Sequence, residues 1–86
     1  MPGMEKLVET IIRVIVDRLN PDLDPKTLSA KTCLIGKGLG LDSIAVLNLV
    51  TGLEEELSIL IDESELELEM FADIESLAGF LSHRLE

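Results

Sequence analysis

The sequence predicts an all-α fold: a small four-helix bundle of three longer helices and one short third helix, with a long loop between helices one and two. Three observations predict it. Apolar residues recur at helical spacing over residues 4–19, 43–57 and 73–84. The one stretch with strand-like alternation, residues 64–70, has no second strand to pair with. Finally, 86 residues that are 47% hydrophobic, with no Trp, no Tyr and two Phe, allow one domain, residues 1–86, around an aliphatic core.

The first helix is expected over 4–19. Leu7, Val8, Ile11, Ile12, Ile15, Val16 and Leu19 make its apolar side. Glu9, Arg13 and Asp17 line the opposite side at i, i+4 spacing, where opposite charges give slight mutual support. Asn20-Pro21 ends the helix, because a residue before proline avoids the α region. Residues 20–41 then lack sustained periodicity. Leu23, Leu28, Leu34, Ile35, Leu39 and Leu41 can anchor such a loop on the core, and Pro25 and the glycines at 36, 38 and 40 mark its turns.

The second helix follows over 43–57, with Asp42 as its N-cap. Val46, Leu49, Val50, Leu53 and Leu57 form its core stripe, while Ile44 and Leu47 point away from it. The face carrying those two also holds Asn48, Thr51, Glu54 and Glu55, and reads as a docking surface. In "SELELEM", Leu66, Leu68 and Met70 alternate with glutamates, yet Ser64-x-x-Glu67 fits a capping box. A short helix over 64–70 is the expectation. The last helix, 73–84, takes Asp73 as N-cap and buries Ile74, Leu77, Ala78 and Leu81.

Charge and composition exclude several functions. Seventeen acidic residues against seven basic give a net charge of −10. Such a surface repels nucleic acid and anionic membranes, and attracts basic protein patches or cations. No 18-residue apolar run exists, so stable membrane insertion is not expected. The single cysteine, Cys33, excludes an internal disulfide and a Cys-rich metal site. With no basic-then-apolar signal peptide, a cytoplasmic monomer is expected.

Catalytic readings fail on residue types. A Ser-His-Asp triad needs a base beside its nucleophile, and His83, near the C-terminus, is the only histidine. The glycines at 36, 38 and 40 precede no Gly-Lys-Ser/Thr. Asn20, Asp22 and Asp24 have EF-hand spacing, but Pro25 and Lys31 occupy the positions that require glycine and glutamate. No catalytic residue and no metal site is predicted. What survives is Ser43 as an attachment point. A serine at the first turn of a helix is exposed, and unpaired N–H groups there favour an attached phosphate, although Asp42 places a like charge alongside.

The stretch "LGLDSIAVLNLVTGLEEEL" resembles the prosthetic-group site and second helix of the acyl carrier protein family. The resemblance covers Asp42, Ser43 and Ile44, the Leu49, Val50 and Leu53 stripe, and the run Glu54-Glu55-Glu56 ending at Leu57. More loosely it takes in the first helix, the long loop and "DIESLAGFL". It implies that Ser43 receives 4′-phosphopantetheine from coenzyme A through a separate phosphopantetheinyl transferase. The arm's thiol would then carry acyl groups as thioesters, and the helices would part to shelter the acyl chain. It further implies docking of acyl-transferring or synthase enzymes with basic docking patches on the second helix. Asp42, Ile44, Leu47, Glu54 and Glu55 are the expected contacts. Fatty acid, lipid and polyketide-type biosynthesis are all compatible.

The departures concern partner choice. Ala45 and Asn48 stand where fatty-acid carriers usually have acids, the segment from Ile61 to Asp73 is slightly longer than usual, and no proline stands at Asp62. The alternative reading is an acidic helical adaptor with no prosthetic group.

Overall fold

Three α-helices, Met4–Val14 (α1), Ser43–Leu57 (α2) and Ile74–Leu85 (α3), bury one aliphatic core in the computed structural model, which describes residues 3–85. Residues 1, 2 and 86 of the expected domain lie outside the described residues. α1 is the central element, packing along both α2 and α3. Leu7, Ile11 and Val14 of α1, Leu49, Val50 and Leu53 of α2, and Ile74, Leu77, Ala78 and Leu81 of α3 are buried together. Val46 and Leu57, expected in the α2 stripe, are half-buried at its two ends.

The first helix differs from expectation at its end. Regular α geometry stops at Val14, and Ile15–Leu19 forms a wider π turn. Asn20, preceding Pro21, is extended at φ −154° and ψ 91°, and its N–H donates to the Ile15 carbonyl at 3.0 Å, five residues back. Arg13 also departs from the expected pairing with Glu9 and Asp17. It reaches across to Glu56 on α2 instead.

The connection between α1 and α2 is anchored as its leucines suggested. Leu28 and Leu34 are buried, and Leu23, Ile35, Leu39 and Leu41 pack against the core. Three backbone bonds tie it to the start of α3. Leu34 N–H donates to the Ala72 carbonyl at 3.4 Å, Ile74 N–H to Thr32 at 3.0 Å, and Glu75 N–H to Ala30 at 2.9 Å. The loop is thereby a fixed strap, with its buried polar groups paired.

The expected short helix over 64–70 is not formed. Two 3-10 turns, Glu63–Glu65 and Leu68–Phe71, take its place, separated by extended backbone at Glu67 (φ −127°, ψ 145°). The reason lies in the spacing. On an α-helix, turning about 100° per residue, positions 66 and 70 share a face but 68 and 71 fall well away from it. The 3-10 turns instead bury Phe71 and half-bury Leu66 and Met70, leaving Leu68 exposed. The capping box exists, but two residues earlier than predicted. Ser64 N–H donates to Asp62 Oδ1 at 2.9 Å, and Asp62 N–H donates back to Glu65 Oε2 at 3.1 Å. A proline at 62 would lack that donor, which explains why this chain can have an aspartate there. At α3, Asp73 caps as expected: Ser76 N–H donates to Asp73 Oδ1 at 2.7 Å.

Candidate functional site

The backbone places Ser43 at the head of α2 by steps that can be followed residue by residue. Gly38 is pressed so close to the loop that a Cβ there would lie 1.9 Å from the Cys33 carbonyl oxygen. Gly40 takes φ +63°, a left-handed conformation that L side chains disfavour, and the chain then returns so that Leu41 N–H donates to the Leu34 carbonyl at 3.0 Å. Asp42 is extended, and its Oδ1 accepts from Ala45 N–H at 2.8 Å. The Asp42 carboxylate, a like charge beside any phosphate, is therefore turned into the helix as its cap. Ser43 is the first residue of α2 and is exposed, and its hydroxyl has no hydrogen-bond partner among the described residues.

Two grooves flank this serine. One, of about 360 Å³, is lined by Ser43 itself with the apolar Ile35, Leu41, Val46, Leu47, Leu66, Leu68 and Phe71, and with Asp42 and Glu67. The other, of about 480 Å³, runs past Arg18, Asn20 and Asn48 on the α1 side. A flexible arm fixed to Ser43 starts at the mouth of the first, whose walls suit an apolar chain. The residues present thus fit a phosphopantetheine arm: a free hydroxyl, a helix N-terminus, and an apolar lining alongside.

The other expected site residues divide. Ile44 and Leu47 are 69% and 47% exposed, on the surface beside Ser43. Glu54 and Glu55 do not stand free as the sequence reading assumed. Glu54 is half-buried and its Oε2 accepts from Ile61 N–H at 2.7 Å, fixing the chain just after α2. Glu55 pairs with Arg18 at 2.6 Å, and Glu56 with Arg13. α2 ends just beyond them at Ser58, left-handed at φ 56°, where glycine is customary.

Charged groups perturbed in their titration lie away from the serine. Asp62 is held below the usual carboxylate range mainly by the Ser64 N–H, and Asp73 mainly by the Ser76 N–H. Lys31 is raised by its hydrogen bond to Glu75, an ion pair at 3.0 Å. His83 lies in the last turn of α3 and lines neither groove beside Ser43. Among the described residues no group of three His, Cys, Asp or Glu could hold a metal, and no helix is long and apolar enough to cross a membrane.

Sequence reasoning missed the far wall of the apolar groove, formed by Leu66, Leu68 and Phe71. The signal was the alternation in "SELELEM" followed by Phe71, which puts apolar side chains on one side only where the backbone between the two turns, at Leu66 and Glu67, is not helical. The arrangement as a whole is an exposed serine at a helix head, on a three-helix scaffold with a mostly apolar groove alongside.

Comparison with known proteins gives the same class. The family described as a phosphopantetheine attachment site matches residues 6–81. The chain is also similar to a holo acyl carrier protein from Nitrosomonas europaea, whose solution NMR structure it matches with 36% identity and a TM-score of 0.79, covering 91% of this chain and 94% of that one. No curated protein matches it. The chain belongs to the acyl carrier protein family. Its cofactor is accordingly 4′-phosphopantetheine, and its role is that of a non-catalytic carrier served by a phosphopantetheinyl transferase and by acyl-handling enzymes. The adaptor reading without a prosthetic group is thereby overturned.

Proposed function

We propose that Ser43 is the residue that bears the arm, and that the protein presents acyl intermediates of fatty acid, lipid or polyketide-type biosynthesis to their enzymes. The observation that carries this reading is the free, exposed Ser43 hydroxyl at the mouth of the apolar groove. When bound, the arm supplies a terminal thiol able to hold an acyl group as a thioester. Ser43 contributes its hydroxyl oxygen, and the N-terminal amides of α2 favour the phosphate attached to it. Asp42 keeps that helix end formed. The groove walls give an apolar chain lying along them a mostly apolar surface on one side. Each CH₂ sheltered there is stabilised by about 0.8 kcal/mol. Ile44 and Leu47, with Asp42 at their edge, form the surface that partners meet first, and the setting is a cytoplasmic monomer.

The test is direct. Incubation with coenzyme A and a phosphopantetheinyl transferase should add one arm by intact-mass measurement, and Ser43→Ala should abolish it. Fold should be retained, since exposed substitutions of this kind change stability by about 0.5 kcal/mol or less. An arm on Ser43→Ala would refute the assignment.

A further inference from the structure

Ser43 stands between two grooves of different chemistry. Asp42 and Ile44, its neighbours in the chain, both line the groove on the α1 side. A group attached to Ser43 therefore starts within reach of that groove as well as the apolar one. The difference between them lies in hydrogen-bond donors. On the apolar side the charged side chains are Asp42 and Glu67, and carboxylates only accept. On the α1 side stand Arg18, Asn20 and Asn48, all of which donate.

The two carboxamides are set differently. Asn20 Oδ1 accepts from Asp22 N–H at 3.1 Å, which leaves the NH₂ half of that side chain to donate. Asn48 is exposed, one helical turn beyond Ile44, and its side chain has no hydrogen-bond partner among the described residues. It can both donate and accept. Arg18 is already held by Glu55 at 2.6 Å. Along the same groove Leu19, Leu23 and Leu39 are half-buried and give it an apolar floor.

The backbone is irregular at this groove. Ile15, Arg18 and Leu19 belong to the π turn, and Asn20 closes it by donating to the Ile15 carbonyl. All four residues line the groove. Single π turns are rare and recur at functional sites.

The phosphopantetheine arm has the matching mixture of groups. Beyond its phosphate it carries a carbon with two methyl groups, a hydroxyl and two amides before the thiol. An amide laid along apolar walls without a partner is destabilised, and an arm without an acyl chain has little apolar length to offset this. Its carbonyls need donors, and the side-chain donors lie on the α1 side.

We propose that the groove on the α1 side is the resting site of the arm when it bears no acyl group. Asn20 donates to one arm carbonyl, Asn48 hydrogen-bonds an arm amide, and the two methyl groups lie against Leu19 and Leu39. Asn20 and Asn48 are positioning residues for the arm. The inference rests on Ser43 as the attachment residue.

The experiment is NMR on isotope-labelled protein, apo and then loaded with coenzyme A and a phosphopantetheinyl transferase, with loading verified by intact mass. Nuclear Overhauser contacts are expected from the arm's methyl protons to Leu19 and Leu39. The side-chain NH₂ signals of Asn20 and Asn48 should shift between apo and holo protein. In loaded Asn20→Ala with Asn48→Ala the ratio of docked to free arm should fall about fivefold for each hydrogen bond lost, and the contacts should fade with it. The apo spectrum of the variant reports whether it is folded. Contacts confined to Leu66, Leu68 and Phe71, or no contacts at all, overturn the proposal, as does a folded double variant with wild-type contacts. If wild-type protein takes up no arm, the Ser43 assignment fails and this inference with it. If the arm is on Ser43 but rests elsewhere, only this inference fails.

Discussion

The two edges of α2 are built on opposite plans. Toward α1 the helix is closed from Leu49 onward, beyond the groove past Arg18 and Asn48: Leu49 and Leu53 are fully buried, the stem of Arg18 and Val14 pack over Gly52, and two ion pairs lie over the seam. Toward the 3-10 turns it is open. There Val46 and Leu47 face Leu66, Leu68 and Phe71 across a groove. The turn Leu68–Phe71 packs on α3 and makes its own backbone bonds locally, Met70 N–H to Glu67 and Ala72 N–H to Glu69. A carrier needs both plans in one helix. The closed edge fixes α2, with Ser43 at its head, against α1, and across the open edge lie 3-10 turns instead of a helix.

The largest effect expected from this contrast is in truncation. Leu53→Ala on the closed edge should cost about 2–5 kcal/mol, because the cavity it leaves sits among fully buried neighbours. Leu68→Ala on the open edge should cost no more than about 0.5 kcal/mol. Urea denaturation of the two variants measures both, and equal losses would erase the distinction between the edges.

A smaller effect, of opposite sign at two sites, comes from adding a methyl group to helix glycines. Gly52→Ala should destabilise by roughly 1 kcal/mol despite better helix propensity, since its Cβ meets Val14 Cγ1 at 2.7 Å. Gly79→Ala in α3, with nothing within 4 Å of the added Cβ, should stabilise by about 0.5–1 kcal/mol. Thermal melts that move the same way for both would show that the α1–α2 seam can relax.

The smallest effect is on acid stability, and it probes the pinned ends of the 3-10 segment. Asp62 and Asp73 have folded pKa values below the ordinary 3.8, each chiefly through a backbone N–H. Groups depressed in this way contribute stability that is full above the unfolded pKa and is lost as pH falls through the folded value. Denaturation midpoints should therefore decline below about pH 4, and Asp62→Asn with Asp73→Asn should flatten that decline while lowering stability near neutrality. An unchanged acid slope in the double variant would mean that other carboxylates dominate.

How much of this was legible beforehand differs along the chain. α2 and α3 were readable to within a residue, because a long apolar period and an aspartate cap are local signals: Asp42 and Asp73 both cap as read. The anchoring leucines of the long loop were readable as apolar, though not the bonds that tie Thr32 and Ala30 to the start of α3. The exposed serine at the head of α2 was readable from "LDS" and the apolar period after it. The far wall of its groove was not, since Leu66, Leu68 and Phe71 gain meaning only when the segment is seen to form two short turns with extended backbone between them.

By itself the sequence determined the helical class, the aliphatic core, the position of Ser43 at a helix head and the carrier family, since each is written in periodicity, caps or a contiguous motif. Only the tertiary structure decided what the charges do. Arg13 and Arg18 are separated from Glu56 and Glu55 by 43 and 37 residues, numbers that follow from their positions. Nothing along the chain shows that they meet, and the glycine that lets one of them pass reads as an ordinary break in helix propensity. Pairing across helices depends on which faces the core brings together. For that reason the glutamates that stand unpartnered in one dimension lie beside two arginines and the Ile61 amide in three.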